Sequence, residues 1–184
     1  KDFRETTSGP SREDGSSKMG PMLEKQWKSL AGGPAVDLRL ELEREVANRA
    51  TELCIGTDSQ QVKQYTEYVT VVVTTRPGKG GRVFYFRERV PRIKSLRERL
   101  SREVWMSTSL AMELVAPTDI GQNVVNDMEL SIHIDANPDP KYRSSDYVQE
   151  LVGMVVGQGF QAVIKPMAWA AGHAADHCVK HKND

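Results

Sequence analysis

Asp58 closes a short apolar run, Leu53-Cys54-Ile55-Gly56-Thr57-Asp58-Ser59-Gln60. Leu, Cys and Ile ending on Gly56 fit a buried strand better than a helix turn, which leaves a carboxylate at the strand's lip. Desolvating a carboxylate there is costly unless a cation compensates it, most simply a metal ion. Asp135 repeats the pattern at the end of Met128-Glu129-Leu130-Ser131-Ile132-His133-Ile134, where apolar and more polar residues alternate. Each strand-end acid is weak alone, because Asp is also a common turn residue. Glu103 is a different case. At about 100° per residue, Leu96, Leu100, Ser107, Leu110 and Leu114 share one helical stripe with Glu103 near its middle. Two readings stay open there: a site acid, or a partly buried Glu paired with Arg99 or Arg102. His173 and Asp176, three residues apart on the last helical pattern, can face one point. Against them stands the commoner solvent-facing helix histidine.

The elements that must position these groups follow from periodicity. Residues 1–20 hold Ser, Thr, Gly, Pro and charges with almost nothing to bury, the composition of a disordered arm. Met22, Leu23, Trp27 and Leu30 recur at helical spacing before Gly32-Gly33-Pro34, so residues 21–35 read as a short helix docking through Trp27, then a linker. Residues 36–184 read as one domain. Leu38, Leu42, Val46 and Ala50 make an amphipathic helix leading into the Asp58 strand. A polar connector, the β-branched run from Thr66 to Thr75, the turn Arg76-Pro77-Gly78-Lys79-Gly80-Gly81 and the run Arg82–Arg87 complete a three-strand antiparallel meander. Ser95 with Glu98 forms a capping box for the Glu103 helix, which runs to about Val115. A helix near Asp146 to Val156, capped by Ser144 or Ser145 and ended by Gly157, then joins the Asp135 strand to Phe160–Ile164 as a right-handed parallel crossover. The last helix runs from about Met167 to Lys180, with the small residues Ala171, Ala174, Ala175 and Cys178 on one face.

Composition narrows the function classes. A 184-residue chain, 39% hydrophobic with formal net charge +0, suits one soluble domain with a tail and argues against a generally basic nucleic-acid binder. No apolar run approaches the roughly 18 residues of a membrane span and no secretory leader opens the chain, so a cytoplasmic location and no membrane partner are expected. Cys54 and Cys178, without CxxC spacing, read as reduced structural thiols. Local charge departs from the total: between Arg76 and Arg102, ten Lys or Arg stand against two acids, Glu88 and Glu98. Such a stretch can guide a phosphate backbone, or be a solvated face balanced by acids elsewhere.

Taken in order, IGTDSQ (55–60), RERLSREV (97–104), HID (133–135), GQGF (157–160) and KPMAWAAGHAAD (165–176) resemble the ribonuclease H-like superfamily, and within it the YkuK-type branch of nucleases. The resemblance spans about Val36 to Val179. It departs at Met167, where the branch often carries an acid. It implies an α/β fold, a mixed sheet of an antiparallel three-strand meander followed by parallel strands, with helices on both faces. It also implies hydrolysis of RNA, DNA or hybrid phosphodiesters with two Mg²⁺ or Mn²⁺ ions. In that scheme Asp58 bridges both ions, Glu103 and Asp135 bind on one side and Asp176 on the other. His173 moves a proton or steers product release, and His133 supports Asp135. Ser59, Gln60, Arg97 and Lys165, in the same motifs, are the expected substrate contacts. Two other classes compete. A non-catalytic binding or assembly module would work through the N-terminal arm and a protein partner. A phosphotransferase of the actin and sugar-kinase type also turns its first strand through Gly, Thr and Asp, but usually needs two such domains.

Overall fold

The computed structural model describes residues 20–116 and 128–168. Its backbone is a seven-stranded sheet in the order β2-β1-β5-β4-β3-β6-β7. The meander is β3 (Glu52–Val62), β4 (Tyr65–Arg76) and β5 (Gly80–Pro91), antiparallel throughout. β6 (Glu129–Ile134) lies parallel to β3 and β7 (Gln161–Ile164) parallel to β6. The mixed sheet, antiparallel then parallel, is the one expected.

Two local expectations change. Residues 21–35 do not form a helix. Trp27–Ser29 is β1, paired antiparallel to β5, and Ala35–Val36 is β2, paired to β1. The free edge of β5 supplies backbone partners that a three-residue helix turn would lack, and period-two burial of Trp27 and Ser29 follows. Gly32 and Gly33, at φ +90° and +101°, let the chain reverse between them. The strand bearing Asp58 also runs on to Val62 instead of yielding to a connector. Thr66, expected as the next strand's start, pairs with Gln61 in a hairpin turned by Lys63-Gln64. Asp58 is therefore mid-strand on its β4 side. On the other side the pairing with β6 stops at Gly56 opposite His133, so the lip exists where β6 ends.

Helix α1 (Leu38–Ala47) is capped by Asp37, whose carboxylate accepts from Leu40 N. α2 (Leu96–Val115) starts on Ser95, which accepts from Glu98 N as the capping box requires. The third helical stretch is a 3₁₀ turn, Ser145–Tyr147, followed by α3 (Val148–Val156), with Gly157 just past its end. Neither Ser144 nor Ser145 serves as a side-chain cap. Ser144 Oγ instead accepts from Asn137 N at 3.1 Å, tying the loop after β6 to the helix start. Leu38 and Leu42 from α1, Leu100, Val104, Leu110 and Leu114 from α2, and Leu151 and Val155 from α3 meet Leu53, Ile55, Val72, Phe84 and Ile132 in one core. Burying each such side chain contributes roughly 1.5–3 kcal/mol. A second apolar cluster, Cys54, Val69, Val71 and Val73, lies on the alternate strand positions, hence on the opposite face of the sheet. No helix among the described residues is long and apolar enough to cross a membrane. The arm of residues 1–20 apart from Gly20, and the last helix beyond Ala168 with Cys178, lie outside the described residues; Lys165–Met167 form a turn.

Candidate active site

One polar seam runs through the core between α2 and β3. Four helical residues rise about 6 Å and two strand residues about 6.7 Å. A polar group at every fourth position of α2 can therefore meet one at every second position of β3. Ser107 Oγ and Thr57 Oγ1 share a hydrogen bond of 2.8 Å, and Thr57 Oγ1 shares another of 3.0 Å with Thr70. One turn earlier on the helix, Glu103 meets Ser59 in a side-chain hydrogen bond. One turn earlier again, Arg99 donates to Ser59 Oγ at 3.1 Å.

Glu103 is buried, and its carboxyl is pushed well above the ordinary range. Burial is the larger cause, followed by the negative charge of Asp58; the Ser59 hydrogen bond opposes both, and Asp135 adds to them. The structure thus brings three of the predicted acids, from a helix and two strands, into one electrostatic neighbourhood. Neither arginine proposed as a structural partner neutralises Glu103: Arg99 only partly offsets the shift, while Arg102 bonds Glu88 at 3.3 Å and lies over the Tyr68 ring.

Asp58 is half-buried and its Oδ1 accepts from Ser59 N at 2.7 Å. Asp135 lies one residue past β6, level with Lys165 one residue past β7, and the two form an ion pair. His133 is buried opposite Gly56, and burial lowers its pKa, so the neutral imidazole dominates at pH 7. Asp176 and His173 lie outside the described residues.

All four expected substrate contacts are engaged within the protein, Ser59 with Arg99 and Lys165 with Asp135 as above. Arg97 forms a forked pair with Glu150 of α3, at 2.9–3.2 Å, and so ties the two helices together. Gln60 donates to Glu67 at 2.8 Å. Glu67 and Tyr68 are the residues that sequence reasoning passed over. Glu67 breaks the run Val69, Val71, Val73 on its face of β4, and that interruption was the available signal. Tyr68 is buried beside Glu103; burial first and then that carboxylate push its phenol up, and its hydroxyl has no hydrogen-bond partner among the described residues.

The donor chemistry suits a hard dication, since the charges of Asp58 and Asp135 that push Glu103 up would be offset by a shared cation. Among the described residues, no three His, Cys, Asp or Glu side chains close on one point tightly enough to hold an ion. Asp176 is the acid that these residues do not include.

The ribonuclease H-like family model matches residues 39–180. The chain belongs to the ribonuclease H-like family. It is also 32% identical over 139 residues to a protein of Bacillus subtilis (strain 168) named "Uncharacterized protein YkuK", an alignment covering 70% of this chain and 78% of that one. No solved structure matches the chain significantly. Family membership accounts for the mixed sheet.

Proposed function

We propose that this ribonuclease H-like chain is a metal-dependent nuclease that hydrolyses phosphodiester bonds of RNA or DNA. The observation that carries the reading is Glu103, a buried carboxyl in an apolar helix stripe that feels Asp58 and Asp135 in place of a neutralising arginine. A Glu kept only for stability gains nothing from two further carboxylates that disfavour its ionised form. Asp58, Glu103, Asp135 and Asp176 are the residues that would hold two Mg²⁺ or Mn²⁺ ions. Bound there, such ions supply an activated water and stabilise the leaving oxygen.

The chain's own residues do the rest. Arg99 orients Ser59, and Ser59 holds the Glu103 carboxyl toward β3. Lys165 holds Asp135 in place until a cation or phosphate competes for either partner. Neutral His133, on the same side of β6 as Asp135, adds no positive charge that would repel a cation. His173 stands as the group that moves a proton or steers product release.

The test is cleavage of labelled RNA, single-stranded DNA, duplex DNA and hybrid by the purified chain in Mn²⁺, Mg²⁺ or chelator, beside Asp58→Asn. Metal-dependent cleavage abolished by the substitution is expected; cleavage that survives chelation or the substitution contradicts the mechanism. A second reading, a non-catalytic nucleic-acid-binding or assembly module, draws on the absence of a three-acid cluster among the described residues. It predicts partner binding indifferent to Asp58→Asn and to Mn²⁺.

A further inference from the structure

We propose that Arg87 and Arg89, held by the buried Glu67, form a phosphate-gripping edge beside the acidic site. The inference rests on the nuclease reading and names the residues that would hold the strand.

The starting point is a carboxylate in an odd place. Glu67 shares its face of β4 with Val69, Val71 and Val73, and it is fully buried near the end of a strand paired on both sides. A valine there would continue the apolar face. A buried carboxylate gains little stability, because desolvating it and its partners offsets most of their attraction. What it does gain is position. Its Oε1 accepts from Arg89 Nε at 2.7 Å, its Oε2 accepts from Gln60 Nε2 at 2.8 Å, and Arg87 Nη1 stands 3.8 Å from Oε2.

Sheet register puts this cluster next to the acids. Asp58 lies opposite Val69, which lies opposite Arg87; Gln60 lies opposite Glu67, which lies opposite Arg89. All six share one pleat parity, so Arg87 stands in the row of Asp58, two strands away, and Arg89 in the next row outward. Two strand spacings are about 10 Å, a gap that an arginine side chain spans in large part. Arg89 bonds Glu67 through Nε and keeps a side chain 55% exposed, which turns the outer end of its fork toward solvent; Arg87 is 24% exposed. Two guanidiniums against one carboxylate leave an excess positive charge beside acids that would otherwise repel a polyanion. The planar fork is the shape that grips phosphate oxygens in pairs.

The experiment measures binding of labelled single-stranded RNA and DNA to the full chain carrying Asp58→Asn, by fluorescence anisotropy across a salt series. Losing one phosphate contact lowers the slope of log K against log salt by about 0.7 for a single strand. Arg89→Gln is expected to lower the slope by about that amount and to weaken binding severalfold for every sequence tested. Arg89→Lys, which keeps the charge, is expected to retain most of the slope. The double variant Glu67→Gln with Arg89→Gln removes the buried carboxylate together with its nearest cation, and it is expected to show the same loss with a normal melting curve. Arg44→Gln, an exposed cation on α1 tied to Glu41, should leave the slope unchanged. Binding with an undiminished slope in Arg87→Gln, Arg89→Gln and the double variant overturns this inference while leaving the nuclease reading intact. Failure of the Asp58→Asn chain to bind nucleic acid, together with failure of the wild type to cut it, overturns the two together.

Discussion

Glu103 concentrates the chemistry of this molecule because burial and two neighbouring carboxylates favour its protonated form. The folded chain therefore holds that proton more tightly than the unfolded chain, whose Glu titrates near about 4.3. The stabilisation is complete below the unfolded value and is lost as pH rises through the raised folded value. Glu103→Gln carries no such titration. Urea unfolding in chelator from acid to neutral pH should show the variant gaining on wild type as pH rises through that window; parallel curves would contradict the assignment. Ser107 makes a second test at this scale. Ser107→Ala removes one of two hydrogen bonds to Thr57 Oγ1 and should cost about 1 kcal/mol of unfolding free energy. A change within error would mean that the seam is not holding α2 against β3. At this scale the sequence was partly readable. Asp58, Glu103 and Asp135 stood out by their positions in apolar patterns, but which partner each met depended on neighbours far along the chain. Arg97 shows the limit: its motif suggested substrate, and Glu150, 53 residues away, took it.

Among the elements, those with strong periodicity were legible and those made by a free edge were not. The β-branched runs, the Ser95 capping box and the alternation before Asp135 each specify their own conformation locally. Trp27 does not, since four apolar residues at helical spacing also suit a turn followed by an edge strand. Tertiary contacts decide the matter. Glu113 of α2 accepts from the backbone N of Met22 and Leu23 at 2.8 and 2.9 Å, and Trp27 Nε1 donates to Met22 O at 3.0 Å. The Trp27 ring also meets Phe86 edge-on, with centroids 4.8 Å apart. Trp27→Ala should accordingly cost about 3–5 kcal/mol, the toll for emptying a core site. A loss under about 1 kcal/mol in a denaturant titration would show that β1 is a detachable appendage.

For the whole molecule, charge is distributed rather than pooled. Arg76 and Arg82 pair with Glu45, Arg87 and Arg89 with Glu67, Arg97 with Glu150 and Arg102 with Glu88. The basic stretch that looked like a single track in sequence is thus largely balanced by acids from other elements, which a local count could not register. Among the described residues, Arg87 and Arg89 share the single carboxylate of Glu67 on the face of the sheet that Asp58 shares. Asp58 and the edge share one face of the sheet, and the seam with Glu103 lies on the other, both where β3 continues past the end of β6. Under the proposed function, Asp58 and Glu103 act as one cation-dependent unit. The direct measurement is the single-turnover cleavage rate in Mn²⁺, on the substrate the wild type cuts fastest, for Asp58→Asn, Glu103→Gln and the double variant. Residues of one catalytic unit fail together, so each single change should slow cleavage about a hundredfold or more and the double should be no slower than the worse single. Rates that stay near wild type in either single variant, or losses that multiply in the double, would contradict it.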